Sequence, residues 1–276
     1  MKRLRDRVAV VTGAASGIGR ATALCLAEHG AHLALADVNL EALSGTSRLA
    51  ELSGVRVSVH RVDVADRDGM EAFAADVERQ HGRAEIVVNN AGVAVAATFE
   101  EQSLEDFHWL MGVNFWGVVH GCRYFLPLLR RADEGHIVNV SSMFGLMGMP
   151  LNSAYCASKF AVYGLSESVR AELTQTSIGV TCVQPGGVAT NIVKAARFSG
   201  EAAEPSRRNG AVRAFERMLP PEKAAAAIVR GIRRNSHRVL ITREAHALDV
   251  AKRAFPSGSA NLVARAWPFV WGRVAR

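Results

Sequence analysis

Seven short apolar runs constrain this chain more than any other feature of its sequence. They are Val8–Thr12, His32–Ala36, Val55–Arg61, Glu85–Asn89, His136–Val140, Gly179–Gln184 and Arg238–Thr242. They read as near-continuous hydrophobic segments rather than alternating ones, which is the mark of strands covered on both faces. Between them lie stretches of helical character, Gly19–Glu28, Glu41–Leu52, Asp66–Gln80, Leu104–Leu129, Ala154–Gln175 and Glu222–Asn235. A strand reaches a parallel neighbour only by crossing over a face of the sheet, and such crossovers are right-handed. The expected fold is therefore α/β: a doubly wound, seven-stranded parallel sheet with helices on both faces. No linker or internal repeat separates the runs, so residues 1–242 are expected to form one domain. Two stretches break the rhythm, the polar, Arg-rich Lys194–Leu219 and the extension 243–276.

With 276 residues, 49% of them hydrophobic, the chain can fill a core on both sides of such a sheet, and disorder is excluded. A net charge of +7 invites a polyanion-binding reading until it is divided along the chain. Residues 1–193 hold 16 Lys+Arg against 20 Asp+Glu, whereas 194–276 hold 17 against 6. The basic character thus belongs to the last third, and it comes with no nucleic-acid recognition motif or aromatic stacking platform. No nucleic-acid partner is expected. No stretch approaches the roughly 18–20 uncharged apolar residues of a membrane span. The four cysteines are far apart with no CxxC pair, as expected of small core residues in a reducing, cytoplasmic setting. The nine histidines form no H-E-x-x-H or other ligand cluster, so no metal site is expected.

The first strand runs into Thr12-Gly13-Ala14-Ala15-Ser16-Gly17-Ile18-Gly19 and then a helix. Glycines let a backbone turn tightly against a pyrophosphate, and the helix N-terminus presents free N–H groups to it. The spacing is G-x-x-x-G-x-G rather than the general G-x-G-x-x-G, so a purely structural glycine turn remains the alternative. Asp37 follows the second strand, 18 residues beyond Gly19. A carboxylate there suits the hydroxyls of an adenosine ribose and repels a 2′-phosphate, which favours NAD over NADP. Its alternative is a turn or helix-cap aspartate before Asn39. Thirteen residues after Ser142 comes Tyr155, with Lys159 one helical turn further on the same face. A tyrosine hydroxyl is a poor acid or base near neutrality unless a neighbouring cation stabilises its phenolate.

Taken together these motifs resemble the short-chain dehydrogenase/reductase family over roughly residues 5–242. The resemblance rests on Thr12–Gly19, Asp63-Val64, Asn89-Asn90-Ala91-Gly92, Asn114, Ser142, Tyr155 with Lys159, and Pro185-Gly186-Gly187-Val188-Ala189-Thr190. It implies a Rossmann fold and a dehydrogenase or reductase acting on CH–OH groups. Tyr155 would be the general acid/base, and Lys159 would lower its pKa and bind the nicotinamide ribose. Ser142 would hold the substrate oxygen, and Asn114 would anchor a water in the proton relay. Gly13, Ser16, Gly17, Ile18 and Gly19 would cradle the pyrophosphate. Asp63 and Val64 would flank the adenine, with Asn90, Ala91 and Gly92 along the middle of the cofactor. Pro185, Gly186, Val188 and Thr190 would face the nicotinamide. A nucleotide-sensing protein that keeps the fold without turnover is the alternative, and the complete Asn114, Ser142, Tyr155 and Lys159 set speaks against it.

Between Ser142 and Tyr155 the chain carries Met143, Phe144, Leu146, Met147, Met149 and Leu151 and no charge. If this segment and Val93–Val95 wall the cleft, with Phe144 and Met149 against substrate, the partner is a neutral alcohol or ketone with hydrophobic substituents. Lys194–Leu219 would be the flap over that substrate, and one of its arginines could instead reach in to an anionic group. Trp116 and Cys156 are expected to be packing residues. Arg243–Phe255 reads as a short helix. Beyond it Leu262, Val263, Ala266, Trp267, Phe269, Val270 and Val274 alternate with Arg265, Arg273 and Arg276, interrupted by Pro268. Such a segment could lie on an anionic membrane surface, but packing on a neighbouring subunit or on the chain itself is the favoured reading. The resemblance implies a homodimer or homotetramer built through the helices holding Asn114–Leu129 and Tyr155–Gln175.

Overall fold

The structure, a computed structural model, describes residues 1–259, 261, 263 and 265. The membrane or subunit reading of the tail turns on Leu262, Trp267, Phe269, Val270 and Val274, which lie outside the described residues. Strands are β1 Val8–Thr12, β2 His32–Asp37, β3 Val57–Arg61, β4 Ile86–Asn89, β5 Val95–Ala96, β6 Gly135–Val140, β7 Ile178–Pro185, β8 Arg197–Phe198 and β9 Arg238–Ile241. Helices are α1 Gly17–Glu28, α2 Leu40–Glu51, α3 Arg67–His81, α4 Leu104–Met111, α5 Gly117–Arg131, α6 Ser153–Glu172, α7 Pro205–Glu216, α8 Pro221–Arg234 and α9 Arg243–Ala254. The main sheet has seven strands in the order β3-β2-β1-β4-β6-β7-β9, every pair parallel. The expected doubly wound α/β sheet is the one observed.

Every residue of β1, β4, β6 and β7 is buried, which explains why their sequences read as unbroken apolar runs. One apolar layer packs β1, β2 and β4 against α1, α2 and α8 through Leu26, Leu43 and Ile228. The other packs the opposite face against α3, α5 and α6 through Phe73, Phe125 and Val162. The winding reverses between β1 and β4, and in such folds the crevice at the carboxyl ends of the strands on either side of that point receives the ligand. Among the described residues, no helix is long and apolar enough to cross a membrane.

Three local features differ from the sequence expectations. The stretch Leu104–Leu129 is not one regular helix: a π-helical turn at Gly112–Trp116 separates α4 from α5, and Asn114 sits inside it. Trp116 is not a packing residue but 52% exposed, leaning on the rings of Phe115 and His120. The segment Lys194–Leu219 is not plain loop. It contains β8, a 3-10 turn at Gly200–Ala203 and α7, whose only buried residue is Gly210. A helix with so little apolar surface gives no periodic signal, although Pro205 at its first position marks its start. All four cysteines are free, with Cys122, Cys156 and Cys182 buried and Cys25 half-buried.

Candidate active site

The glycine loop joins β1 to α1 at the crevice. Gly13 and Gly17 take left-handed backbone angles of +65° and +56° that other residues rarely adopt. Gly19 is required for a different reason: a Cβ there would lie 2.2 Å from the Gly13 carbonyl oxygen and 2.4 Å from Asn90 Nδ2. Ser16 precedes α1 without a side-chain capping bond, which leaves the first-turn N–H groups facing the crevice for an anion. Across the loop, Asn90 Nδ2 donates to the carbonyls of Thr12 (2.9 Å) and Gly13 (3.2 Å). The Thr12 hydroxyl in turn accepts from the backbone of Asn90 (3.0 Å) and Ala91 (3.2 Å). The Asn90-Ala91-Gly92 turn is thereby fastened to the phosphate loop. Thr190 reaches the same place, since a Cβ added at Gly17 would lie 3.1 Å from its methyl carbon.

Asp37 is the last residue of β2. Its Oδ2 accepts from Ala15 N at 3.0 Å and its Oδ1 from Asn39 N at 3.0 Å. The turn role is thus observed, and the same carboxylate steadies the glycine loop. Asp63 is exposed just beyond β3 and accepts from Ala65 N at 2.9 Å, while Val64 is buried and its carbonyl accepts from His120 at 2.9 Å. Pro185 ends β7. Gly186 follows it so closely packed that a Cβ would meet the Thr242 hydroxyl at 2.1 Å, and Val188 is held by a bridge to Leu219. Gly13, Asp37, Asp63, Asn90, Pro185 and Thr190 therefore line one edge of the sheet, on both sides of the reversal point.

The chemistry-bearing side chains converge from β6, the π-helical turn and α6. Ser142 follows β6, its hydroxyl accepting from Phe144 N at 3.1 Å. Lys159 is buried and donates from Nζ to the Val140 carbonyl at 3.0 Å, with Nζ 5.6 Å from the centre of the Tyr155 ring. Asn114 is fully buried. It accepts from Val93 N at 2.8 Å and donates to the Val93 carbonyl at 2.9 Å and to Ser158 Oγ at 3.2 Å. The wider π-helical turn is what directs this amide back toward the Asn90–Val93 turn. Ser158 then donates to the Tyr155 carbonyl at 2.8 Å, so Asn114 and Tyr155 share a link that neither residue's spacing announced. Gly145 completes the packing, because a Cβ there would lie 2.6 Å from the Lys159 carbonyl oxygen.

Burial dominates the electrostatics. It pushes the Tyr155 phenol up to about 12, against the pull of a hydrogen bond from Ser142, and pushes Lys159 down to about 8. The expectation that Lys159 brings the tyrosine down toward neutrality is not what the free protein shows: both groups are held toward their neutral forms, because each charge would be desolvated. Cys156, beside Tyr155, is likewise pushed up by burial and accepts from Met149 N at 3.3 Å, as an inert thiol would.

Of the apolar wall, Phe144 stands edge-on to Tyr155 with ring centres 6.0 Å apart, Met149 is half-buried, and half-buried Val93 packs on the same apolar cluster as Tyr155. Leu146, Met147 and Val95 are core instead. A network absent from the sequence reading lies beneath: Asn89 Nδ2 donates to Asn139 Oδ1 (2.9 Å) and Asn139 Nδ2 to Ser166 Oγ (3.1 Å), tying β4, β6 and α6 together. Its only sequence signal is a pair of asparagines at or next to the ends of two strands that lie side by side.

Comparison with known proteins agrees with this geometry. The sequence profile described as short chain dehydrogenase matches residues 7–199. A Mycobacterium tuberculosis protein named SadH, described in general terms as an oxidoreductase, is 41% identical over 269 residues, 96% of each chain. The C alpha-dehydrogenase of a Sphingobium species is 35% identical over 247 residues, covering 86% of this chain and 80% of that one. The crystal structure of a short-chain dehydrogenase/reductase from Burkholderia phymatum in complex with NAD superposes with a TM-score of 0.85 at 32% identity, over 92% of this chain and 95% of that one. The chain belongs to the short-chain dehydrogenase/reductase family, and it is an oxidoreductase.

Proposed function

We propose that the protein transfers a hydride between NAD(H) and a secondary alcohol or ketone with hydrophobic substituents, with Tyr155 as the general acid/base. The observation that carries this reading is the convergence of Ser142, Tyr155, Lys159 and Asn114 beside the glycine loop, with Lys159 and Asn114 held by buried hydrogen bonds. The residues of the crevice fit a dinucleotide: two left-handed glycines, a free helix N-terminus and a carboxylate at the end of β2. When bound, the nicotinamide supplies or accepts the hydride. In reduction the Tyr155 hydroxyl gives its proton to the substrate oxygen, and in oxidation the phenolate takes it back. Ser142 Oγ holds that oxygen. The Lys159 ammonium offsets the phenolate charge, and Asn114 fixes the turn and helix between which the proton is relayed.

The flap supports a neutral substrate, since three of its five arginines have other partners. Arg207 pairs with Glu201 and Glu204, Arg208 stacks over Phe198, and Arg197 is turned onto α4. Asp37 supports NAD over NADP, since it would face a 2′-phosphate with like charge. The free cysteines suit a cytoplasmic setting, and the exposed Trp116 and Phe160 on the π-helical turn and α6 suit contact with a second copy. An absorbance screen of neutral and carboxylated alcohol/ketone pairs, with NAD(H) and NADP(H) side by side, tests the reading. Bulky neutral pairs with NAD(H) should give the highest kcat/KM, and Tyr155→Phe should lose nearly all turnover while still binding cofactor. Preference for a small keto acid, or near wild-type kcat in the Phe variant, would overturn it.

A further inference from the structure

We propose that Arg197 is a positioning residue: it clasps the flap to α4 and thereby sets how firmly substrate is held beside Tyr155. The inference rests on the reading above for the identity of the substrate but not for the clasp itself. Three independent contacts converge on this short stretch of chain. The guanidinium carbon of Arg197 lies 3.6 Å above the centre of the Trp109 ring. Its Nη1 pairs with Asp106 at 2.6 Å, and Asp106 is mostly shielded from solvent. The backbone of the same stretch pairs in parallel with β5, Arg197 N donating to Ala94 O at 3.1 Å and Ser199 N to Ala96 O at 3.2 Å. Just beyond, Gly200 seats on the Glu101 carboxylate so closely that a Cβ would overlap it.

An exposed arginine–aspartate pair alone would do little. Here the planar cation also stacks on an indole, a contact that a flexible point charge cannot reproduce. What the clasp grips matters more. Trp109 packs on the small cluster of Val95, Ala97, Leu110 and Ala154, and Tyr155 and Val93 pack on the same cluster. On its other side Ala97 bridges to Asn152, one residue before α6. Flap, β5 and the entry to the Tyr155 helix therefore form one narrow layer: 197–198, then 95–97, then 152. The flap cannot lift at Arg197 without freeing an edge of the layer that flanks the tyrosine.

If the flap exchanges between clasped and open forms, substrate affinity scales with the clasped fraction, while the chemical step inside the clasped complex is untouched. Arg197→Ala should thus raise KM for a bulky neutral ketone about tenfold and leave kcat within about twofold, as loss of a stacked cation and its ion pair would give. Arg197→Lys, which keeps charge but loses the planar stack, should fall between. Hydrogen exchange supplies a readout free of turnover: the amides of residues 197 and 199 should exchange about tenfold faster in Arg197→Ala, and those of β6 should not change. Unchanged exchange at 197 and 199 would overturn the clasp. Faster exchange with an unaltered KM, or a fall in kcat alone, would overturn its role in holding substrate. If the wild-type protein turns over none of the alcohols or ketones, the functional reading fails, while the exchange result still decides the clasp.

Discussion

Tyr155 and Lys159 stand one helical turn apart, and that spacing was legible from the sequence. Their ionisation was not, because burial is a property of the assembled crevice. With Lys159 lowered to about 8, its ammonium is present below that pH and lost above it. Reduction needs both the Tyr155 proton and the Lys159 charge, so its kcat/KM should be level below about pH 8 and fall above it, whereas oxidation, which needs a phenolate that burial pushes up to about 12, should still be climbing well above that range. A pH profile of the two directions checks this, and a reduction rate still climbing at pH 9 would contradict it. Asp37 teaches a related lesson. Its position beside the glycine loop was readable, but its bond to Ala15 depends on a loop folding back over β2, which no local pattern encodes.

At the level of elements, the long strands and helices were readable because each buries a face whose periodicity shows in the sequence. What escaped was short or nearly all polar. β5 and β8 have two residues each, too few for any pattern, and α7 buries only Gly210. The junction of β1 and α1 carries the sharpest prediction at this scale. Replacing a helical glycine by alanine ordinarily stabilises by about 1 kcal/mol. At Gly19 the added carbon would sit 2.2 Å from the Gly13 carbonyl, so the clash should win. Gly19→Ala is expected to cost about 1–3 kcal/mol and to weaken cofactor binding further, by parting the loop from Asn90. Chemical denaturation together with a cofactor titration measures both effects.

For the whole molecule, the sheet divides two apolar layers, and buried histidines lie within reach of both. Burial lowers His136 to about 3 and His81 to about 4; the first bonds to Thr181 at 2.8 Å, and the second shares the Ser58 hydroxyl with His60 at 2.8 Å. A histidine with a depressed folded pKa is charged first in the unfolded chain. Its contribution to stability is therefore present above the unfolded value of about 6.5 and lost as pH falls toward the folded one. Near pH 5 these two groups should make unfolding take up about two protons, so stability should drop by about 2–3 kcal/mol per pH unit. Urea midpoints between pH 6.5 and 5 would reveal this slope, and His81→Gln should remove about half of it. The division of charge along the chain was legible, but the places its arginines occupy were not. Arg197 goes to Trp109, whereas Arg230, Arg233 and Arg234 gather with Lys2 around an open depression by α8.

The π-helical turn at Gly112–Trp116 restricts how this chain can change its length. It holds one residue more than a regular helix would need, so losing any one of those five would restore ordinary α geometry. The flanking residues would nearly keep their faces, Val118, Cys122 and Phe125 in the core among them, because the wider turn is what absorbs the extra residue. What would go is the bulge that aims the Asn114 amide at Val93. A single-codon deletion here should thus leave a folded protein that has lost this contact, so the number of residues between α4 and α5 answers to the site rather than to the core.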